Sequence, residues 1–478
     1  MSQKIDYIYY IALFALFEII NMLFLESSMN LLLTIPQIIV IFYFIISGNL
    51  DRAIIWHLVF VLTAVDLNTI DDDIEMLSYP AIKLIGPLTI SYILLGIIWI
   101  STLRRKISLP QYSLLYRLRK YLIILLVTSS ILGLLGVAII GYHVKDFIPP
   151  FRYMLIAVLL TDIFARLYND SLLEKCYSFA ICLLIASPIV SAFSFFILHI
   201  SYSYSVFESF ETNSIFILTP SLFIFLMFKL DKKLNYLALF SLFCLLILTA
   251  IAARGSQYIT LAVAFLIMIY LVYINKNHNN LVGINFFRFF IPFLGIGAFV
   301  SGSILLLSVG DSLAANKLNQ FVSLFSILGG GGFSIEEVST SPYIRIAEIL
   351  NIIDNGIQNP IGLIIGQGYG AFYTDSLRLF DMLDLSQGAF NDDAISSGKF
   401  TTAHSMYPNA LLYHGIIGFY FIMKLGILYL KKIPFTPLLF ASFVLLLYSL
   451  YYNVPLMNAC IMFLFASEYK IQYNKELV

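Results

Sequence analysis

Long apolar runs separated by short polar segments dominate the chain. Runs long enough to cross a hydrocarbon core, which takes about 17–25 residues, lie at residues 7–25, 30–48, 80–103, 121–141, 175–200, 213–229, 257–274 and 288–308. Shorter or weaker runs lie at residues 53–67, 150–167, 234–252, 409–430, 434–451 and 455–468. Backbone that crosses a bilayer must satisfy its own hydrogen bonds, so each run predicts a helix. The pattern predicts an all-α polytopic membrane protein with roughly 12–14 transmembrane helices.

Composition supports the membrane class and narrows the partners. Of 478 residues, 60% are hydrophobic and 12% are charged, and the mean hydropathy is +0.90. A soluble domain of this composition would aggregate. The 28 basic residues are balanced by 28 acidic ones, which argues against a nucleic-acid-binding surface and favours membrane lipids and lipid-linked molecules as partners. The cysteines lack the spacing of metal ligands, and we interpret them as packing residues: Cys176, Cys182, Cys244 and Cys460.

Basic residues between two strong runs predict the orientation of the helices. Lys and Arg accumulate on the cytoplasmic side of short loops. The most basic such loop contains Arg104, Arg105, Lys106, Arg117, Arg119 and Lys120. Counting helices outward from this loop places Arg254 and residues 310–403 on the opposite, external face, with the N-terminus inside.

The segment 310–403 is too long and polar for a simple connection, so it divides the chain into three regions. These are a transmembrane bundle over residues 1–309, a loop over residues 310–403 and C-terminal transmembrane helices over residues 404–478. Two stretches of the loop have apolar residues at helical spacing, first Phe321, Leu324, Phe325 and Leu328, then Ile346, Ile349, Leu350 and Ile353. We expect helices there that lie on or just above the external membrane surface.

The stretch 401–418 places a polar cluster at the start of a membrane helix. Ser405 fits the N-cap position, and Gly415 predicts a break or kink. The positive end of the helix dipole disfavours protonated His404, so the imidazole stays available as a base. The same helix end would favour an anion. The alternative is that His404 only caps a transmembrane helix at the membrane interface.

Arginines on the predicted external face suggest an anionic substrate. Those singled out are Arg152, Arg254 and Arg345. Guanidinium groups bind phosphate oxygens in bidentate fashion, so Arg254 and Arg345 beside a base would suit a diphosphate leaving group. The alternatives are a snorkelling Arg254 and an ordinary surface pair of Arg345 with Glu348. Arg152 follows two prolines at the predicted head of a helix.

Other polar positions have simpler interpretations. Gly366, Gly368 and Gly370 predict a tight turn, since they lack the strand-to-helix setting of a dinucleotide-binding loop. The acidic residues 71–75 could hold a divalent ion, but a solvated loop is the simpler interpretation, and no metal site is assigned. His414 is expected to pack within its helix.

The motif around His404 resembles that of the bacterial O-antigen polymerase and O-antigen ligase superfamily. The ligase-like motif is a histidine, a polar residue, nine residues, glycine, two residues and glycine. Here it stands as His404-Ser405, nine residues, Gly415, two residues and Gly418. The order of the motifs and the long external loop are also similar to the family pattern.

The arginines match that family in part. Arg345 and Gly356 fit the Arg-x10-Gly pattern of the polymerases, and Arg-Gly-Ser begins at Arg254, before the loop. Arg254 itself departs from the pattern, because Phe265 stands where the glycine would be. A paired two-loop signature is therefore absent from the sequence.

The resemblance implies a GT-C-like helical bundle with a large periplasmic loop in the bacterial inner membrane. It implies a metal-independent glycosyltransferase that needs no cofactor and uses undecaprenyl-diphosphate-linked oligosaccharides, with a chain-length regulator as an expected partner. His404 would activate the acceptor hydroxyl, while Arg254 and Arg345 would hold the diphosphate. Arg152 and Ser405 are further candidates for substrate binding.

The function expected from the sequence is that of an O-antigen polymerase, because of the Arg-x10-Gly match. The nearest alternative is an O-antigen ligase that joins the glycan to lipid A-core. The alternative from another class is a transporter or flippase for lipid-linked sugars. Such a protein would place charges near the bilayer midplane and often shows internal repeats, and the sequence shows neither strongly.

Overall fold

The structure is a computed structural model and describes residues 7–23, 29–64, 79–80, 82–85, 88–197, 236–244, 340–380, 390, 392–404, 406–432, 438–451 and 454–476. Its helices are α1 (Tyr7–Leu23), α2 (Met29–Ile46), α3 (Leu50–Leu62), α4 (Ile90–Thr102), α5 (Leu114–Leu135), α6 (Val144–Arg166), α7 (Asp170–Phe196), α8 (Thr340–Gln358), α9 (Pro360–Ile365), α10 (Asp392–Ser397), α11 (Met406–Lys432), α12 (Leu438–Ser449) and α13 (Val454–Glu476). Residues 236–244 are also helical. Two short strands, β1 (Lys83–Ile85) and β2 (Leu88–Thr89), pair antiparallel, and a π-helical turn (Gly136–Ile140) extends α5.

Several of these helices have the length and apolar character of membrane spans. Within the described residues, four segments meet both conditions: Leu114–Ile140, Val144–Arg166, Asp170–Phe193 and Met406–Tyr429. Shorter apolar helices lie at Tyr7–Asn21, Leu31–Ile46, Ile90–Thr102 and Met457–Glu468. The protein is thus mostly helical, as expected for an all-α membrane protein. The runs predicted at 213–229, 257–274 and 288–308 lie outside the described residues, as do the stretch 321–328 and the acidic residues 71–75.

Helices α4, α5 and α6 begin at other positions than the apolar pattern predicts. The run at 80–103 becomes helical only at Ile90, because the strands β1 and β2 precede it. Helix α5 begins at Leu114, earlier than the apolar run. Ser113 is its N-cap, and its Oγ accepts a hydrogen bond from Tyr116 N at 3.3 Å.

Helix α6 also begins earlier than predicted, at Val144. Pro149 and Pro150 therefore lie inside the helix, and Arg152 lies in its third turn rather than at its head. A proline removes the donor for the carbonyl four residues earlier. Those carbonyls belong to exposed Lys145 and half-buried Asp146 in the first turn, where water can replace the missing donor.

Helix α13 is the element around which the bundle packs. It contacts α3, α5, α6, α7 and α12. Its buried Glu468 accepts a hydrogen bond through Oε1 from Leu114 N at 3.1 Å, which satisfies an amide that α5 leaves unpaired at its N-terminus. Helix α5 packs on α6 and α11, and α8 and α9 pack on α11. The four cysteines are free and buried, as predicted.

The carboxylate of Asp162 on α6 accepts hydrogen bonds from side chains of three helices, α4, α5 and α6 itself. Its carboxylate accepts hydrogen bonds from Trp99 Nε1 at 2.8 Å and from Arg119 Nε at 2.7 Å. Arg166 Nε donates to the carboxylate at 2.8 Å. The side chain of Asp162 is 6% exposed and each guanidinium side chain is 17% exposed. One buried carboxylate is therefore the shared counter-charge of two half-buried guanidinium groups.

Asp162→Ala is expected to destabilise the protein by about 3 kcal/mol or more, because both guanidinium groups would lose their counter-charge. Asp393→Ala is the matched control. Its ion pair with Lys145 spans 3.2 Å, but both side chains are largely exposed, so its loss changes stability little. Thermal unfolding of both purified variants in one detergent measures the difference. Equal midpoints would contradict the proposed role of Asp162.

The basic residues and the segment 340–404 lie towards opposite ends of α5. Arg119 lies near the N-terminus of α5, whereas Ser129, in its second half, donates a hydrogen bond to the carbonyl oxygen of Tyr413 at 3.0 Å. Beyond the other end of α5, Lys145 pairs with Asp393. This arrangement is compatible with the basic loop and the segment 340–404 facing opposite sides of a membrane.

Candidate active site

A buried carboxylate meets a partly exposed imidazole where α8 packs against the start of α11. Glu348 on α8 is fully buried, and its Oε1 lies 2.6 Å from His404 Nδ1. The backbone N–H of His404 donates to both carboxylate oxygens at 3.0 Å. The hydroxyl of Tyr373 donates to Oε1 at 3.3 Å. These donors hold the Glu348 carboxylate in place, and the carboxylate fixes the imidazole ring.

The contact with Glu348 determines which ring nitrogen of His404 carries the proton. When the carboxylate accepts this hydrogen bond, Nδ1–H is the donor, and in the neutral imidazole Nε2 is the nitrogen that carries the lone pair. The His404 side chain is 33% exposed, so a substrate can reach the ring. A carboxylate that orients an imidazole in this way is the arrangement of a general base.

Aromatic rings form a wall beside the imidazole. The ring centroid of Phe390 lies 4.7 Å from that of His404, and the two planes are nearly perpendicular. Phe400 lies 4.6 Å from Phe390 and stacks on Tyr373 at 5.4 Å. Phe380 lies 5.1 Å from Phe400. The wall restricts rotation of the His404 ring and gives the site an apolar side.

Two asparagines of α8 fasten the loop 374–380 beside this wall. Asn351 Nδ2 donates to Asp375 Oδ1 at 2.7 Å. Asn355 bonds both backbone groups of Thr374, with Nδ2 donating at 3.0 Å and Oδ1 accepting at 3.2 Å. Among the described residues, Arg378 is the non-glycine residue with positive φ, 55°. Backbone strain of this kind persists where neighbours enforce it, often at binding sites, and here it presents an exposed arginine.

The start of α11 is held by Asn409. Its Oδ1 accepts from Ala403 N at 2.9 Å, and its Nδ2 donates to Ala403 O at 2.8 Å. This pair of bonds fixes the backbone immediately before His404. The helix begins at Met406, and Pro408 is its third residue, where a missing N–H costs little.

The glycine turn is inserted between α5 and α11. Its glycines Gly366, Gly368 and Gly370 all have positive φ. Helix α11 breaks at Gly415, with φ 64° and ψ −166°. Two backbone N–H groups of the turn donate to the carbonyl oxygens of Leu412 and Tyr413, at 3.0 and 3.1 Å. Tyr369 N donates to Ser129 O of α5 at 3.1 Å. The turn thus supplies donors to carbonyl groups of both helices.

Close backbone approach requires glycine at this junction. A Cβ on Gly366 would come within 3.0 Å of the carbonyl oxygen of Tyr413, and one on Gly415 would do so with Gly366 N. A Cβ on Gly368 would overlap the backbone of Gly133 in α5. Real Cβ atoms do not approach backbone atoms this closely, so substitution would separate the elements.

His414 packs within α11, as predicted. It is buried, and its Nδ1 is hydrogen-bonded to the hydroxyl of Ser129. Tyr369 and Tyr451 lie beside it, with ring centroids 5.7 and 5.8 Å away. Gly418 leaves room for it, since a Cβ there would overlap the His414 side chain. The last glycine of the motif therefore serves the packing of this histidine.

The structure places the predicted site residues unevenly. Arg345 is exposed and lies three residues before Glu348 on α8, so their Cβ atoms are roughly 5–6 Å apart. The surface pair considered for Arg345 is wrong in one respect, because the Glu348 carboxylate is buried and bound to His404. Arg152 packs its guanidinium over the ring of Tyr92 at 5.6 Å. Arg254 and Ser405 lie outside the described residues.

Sequence reasoning misses the role of Glu348 and does not single out Arg378. A signal for Glu348 is present, since Asn351 and Asn355 follow it at helical spacing. Asparagine is a poor helix former unless its side chain has fixed partners, so this polar row indicates a face that binds other protein groups. No comparable signal marks Arg378, whose backbone depends on contacts distant in sequence.

No protein-family model matches the chain, and no curated protein matches it significantly. The family likeness therefore rests on the motifs quoted above.

Proposed function

We propose that this protein is a membrane glycosyltransferase of the O-antigen polymerase type. It would transfer the growing polysaccharide from undecaprenyl diphosphate to a lipid-linked repeat unit, at the periplasmic face of the bacterial inner membrane. The observation that carries the proposal is the 2.6 Å hydrogen bond between Glu348 and His404. It puts an oriented base at the histidine of the motif that resembles the family, beside the end of a candidate membrane span.

In the proposed reaction His404 is the general base. Its Nε2 takes the proton from a hydroxyl of the acceptor sugar while that oxygen bonds to the anomeric carbon of the donor glycan. The bond from this carbon to the diphosphate oxygen breaks, and the electron pair leaves with undecaprenyl diphosphate. Glu348 stabilises the imidazolium that forms. The scheme uses no metal ion and no cofactor.

Positive charge must meet the diphosphate as it leaves. Arg345 is supported for this role because it lies one turn from Glu348, on the same helix. Arg378 is added to the candidates because its loop is fastened to α8 beside the aromatic wall. Arg254 keeps its proposed role as the second diphosphate ligand, and Arg152 and Ser405 stay candidates for substrate binding. A chain-length regulator is the proposed protein partner.

The second candidate is an O-antigen ligase, in which lipid A-core is the acceptor. The observation that favours it is the ligase-like spacing from His404 to Gly415 and Gly418. The same base and the same donor serve both reactions, so the acceptor distinguishes them. Deletion of the gene in its own host separates the two. Single repeat units on lipid A-core indicate a polymerase, and no attached glycan indicates a ligase.

Replacing His404 by glutamine tests the base. We expect the deletion strain complemented with His404→Gln to make long glycan at least about 100-fold more slowly, with protein levels unchanged. His143→Gln is the matched control, since His143 is exposed and makes no side-chain cap to α6. Gel analysis of glycan length and turnover by purified protein measure the effect. Normal long glycan from His404→Gln would remove His404 from the mechanism and support a transporter.

A further inference from the structure

Helix α8 exposes apolar side chains and buries polar ones. Apolar residues face away from the protein, namely Ile346, Leu350, Ile353 and Ile357, with exposed fractions of 55, 44, 37 and 63%. Fully buried polar side chains, Glu348 and Asn351, lie on the opposite side against the protein. A helix at the boundary between water and lipid keeps its polar face open to water. Among the described side chains of α8, the exposed polar ones are Arg345 near its start and Gln358 at its end, so the outer side between them is apolar.

The same apolar stripe continues along α9. Ile361, Ile364 and Ile365 are 71, 50 and 39% exposed. Helix α9 folds back on α8, where Gly356 allows the side chain of Leu363 to approach. The stripe therefore covers one outer side of the hairpin formed by α8 and α9. Such contiguous apolar surface is rare where a protein faces water.

The depth of the adjoining turn places α9 beside the core of the membrane span. Tyr369 N bonds to Ser129 O, and Ser129 lies eleven residues before the end of the candidate span Leu114–Ile140. At about 1.5 Å per residue, this point is roughly 16 Å inside the span. Irregular backbone at such depth is stable only when its polar groups are satisfied by protein. The donors of the turn meet that condition at α5 and α11.

The stripe is continuous with the outward side of α11. Gly415 of α11 lies against the backbone of Ile364, and the next residues, Ile416 and Ile417, are 50 and 44% exposed. Farther along this candidate span, Ile427 is 51% exposed. From α9 to Ile416 and Ile417 of the candidate span the surface has no polar break, and such a surface fits the hydrocarbon of the bilayer.

We propose that α8 and α9 form a re-entrant hairpin whose apolar stripe contacts lipid acyl chains. At the tip of the hairpin, Gln358 donates to Asp354 at 3.4 Å and Asn359 accepts from Gly362 N at 3.2 Å, so the polar side chains there are partly paired. The placement puts the Glu348–His404 pair at the level where lipid headgroups meet hydrocarbon. It does not depend on the reaction proposed above.

Single cysteines introduced into a variant without native cysteines test the placement. The positions are Ile357 and Ile361 in the stripe, with Ile427 as the lipid control and Ser396, exposed on α10, as the water control. Each variant is labelled with bimane and reconstituted in vesicles with or without brominated acyl chains. Charged maleimide, supplied to both membrane sides before bimane labelling, measures access to water.

We expect brominated chains to quench bimane at Ile357 and Ile361 as strongly as at Ile427, and to leave Ser396 unchanged. Maleimide should react with the stripe positions at least about tenfold more slowly than with Ser396, because thiolate forms only in contact with water. Fast maleimide reaction without quenching would overturn the proposal and show that the hairpin faces water. If the stripe positions show neither quenching nor maleimide reaction, the proposal is also overturned, because the stripe is then covered by protein. Neither result depends on glycosyltransferase activity.

Discussion

Glu348→Gln is expected to lower the turnover of the proposed transfer reaction by about 10²–10⁴-fold, with a small change in KM. The amide keeps the size of the side chain but removes its charge, and only one of its two polar atoms can accept a hydrogen bond from His404. The imidazole loses its counter-charge, and where the NH₂ group faces Nδ1 it also takes the wrong tautomer, which disables a general base. Turnover and KM are measured with purified protein and the host's lipid-linked repeat units.

Asp354→Asn is the control for this prediction. Asp354 lies on the same helix, outside the proposed machinery, and contacts Gln358 at 3.4 Å. The variant should retain normal turnover. A loss of turnover in Glu348→Gln that follows a loss of folded protein would point to a structural role alone. Normal turnover in a folded Glu348→Gln protein would show that the carboxylate does not serve the base.

Gly415→Ala is expected to destabilise the protein by about 2–5 kcal/mol. The positive φ costs an alanine about 1–2 kcal/mol, and its Cβ would overlap the backbone of Gly366 and Ile364, which adds an overpacking term of about 1–3 kcal/mol. The overlap involves backbone on both sides, so no flexible side chain can move to relieve it. Size-exclusion chromatography after graded heating measures the loss of folded protein.

Gly398→Ala isolates the steric part of this effect. Gly398 has the same φ, 64°, but a Cβ there would meet nothing within 4 Å. Only the conformational cost applies, so Gly398→Ala should lose about 1–2 kcal/mol, and Gly415→Ala should lose more because the overlap is added. Similar midpoints for the two variants would mean that the turn and α11 are not packed as described.

The membrane helices can be predicted from the sequence because their cause is local. Apolar runs of sufficient length specify spans in any fold, and α1, α2, α7 and α11 follow their runs closely. The break at Gly415 is also predictable, because glycine weakens a helix and readily adopts positive φ. Boundaries set by capping, such as Ser113 at α5, depend on single side chains and do not follow from the apolar pattern.

Of the two residues at the centre of the candidate site, the sequence predicts His404 but not Glu348. His404 stands out because it precedes an apolar run, but its partner Glu348 is 56 positions away, and no local pattern records that contact. Three of the four residues predicted for the apolar stripe of α8 are exposed in the structure, whereas Ile349 is half-buried and Ile357 continues the stripe. The predicted position of the stripe on the membrane surface differs from the re-entrant placement proposed above. Periodicity identifies an apolar face but gives no information about whether protein, water or lipid covers it.

The turn at residues 366–370 also constrains how the protein is made. It bonds α5 on one side and α11 on the other, and Ser129 and Tyr413, which it brings together, are separated by 284 positions. Helix α5 leaves the ribosome long before its partners exist, so the junction can close only near the end of synthesis. Until then, the glycine turn and the proposed base His404 have no fixed place, and a nascent chain that stops before α11 cannot form the junction.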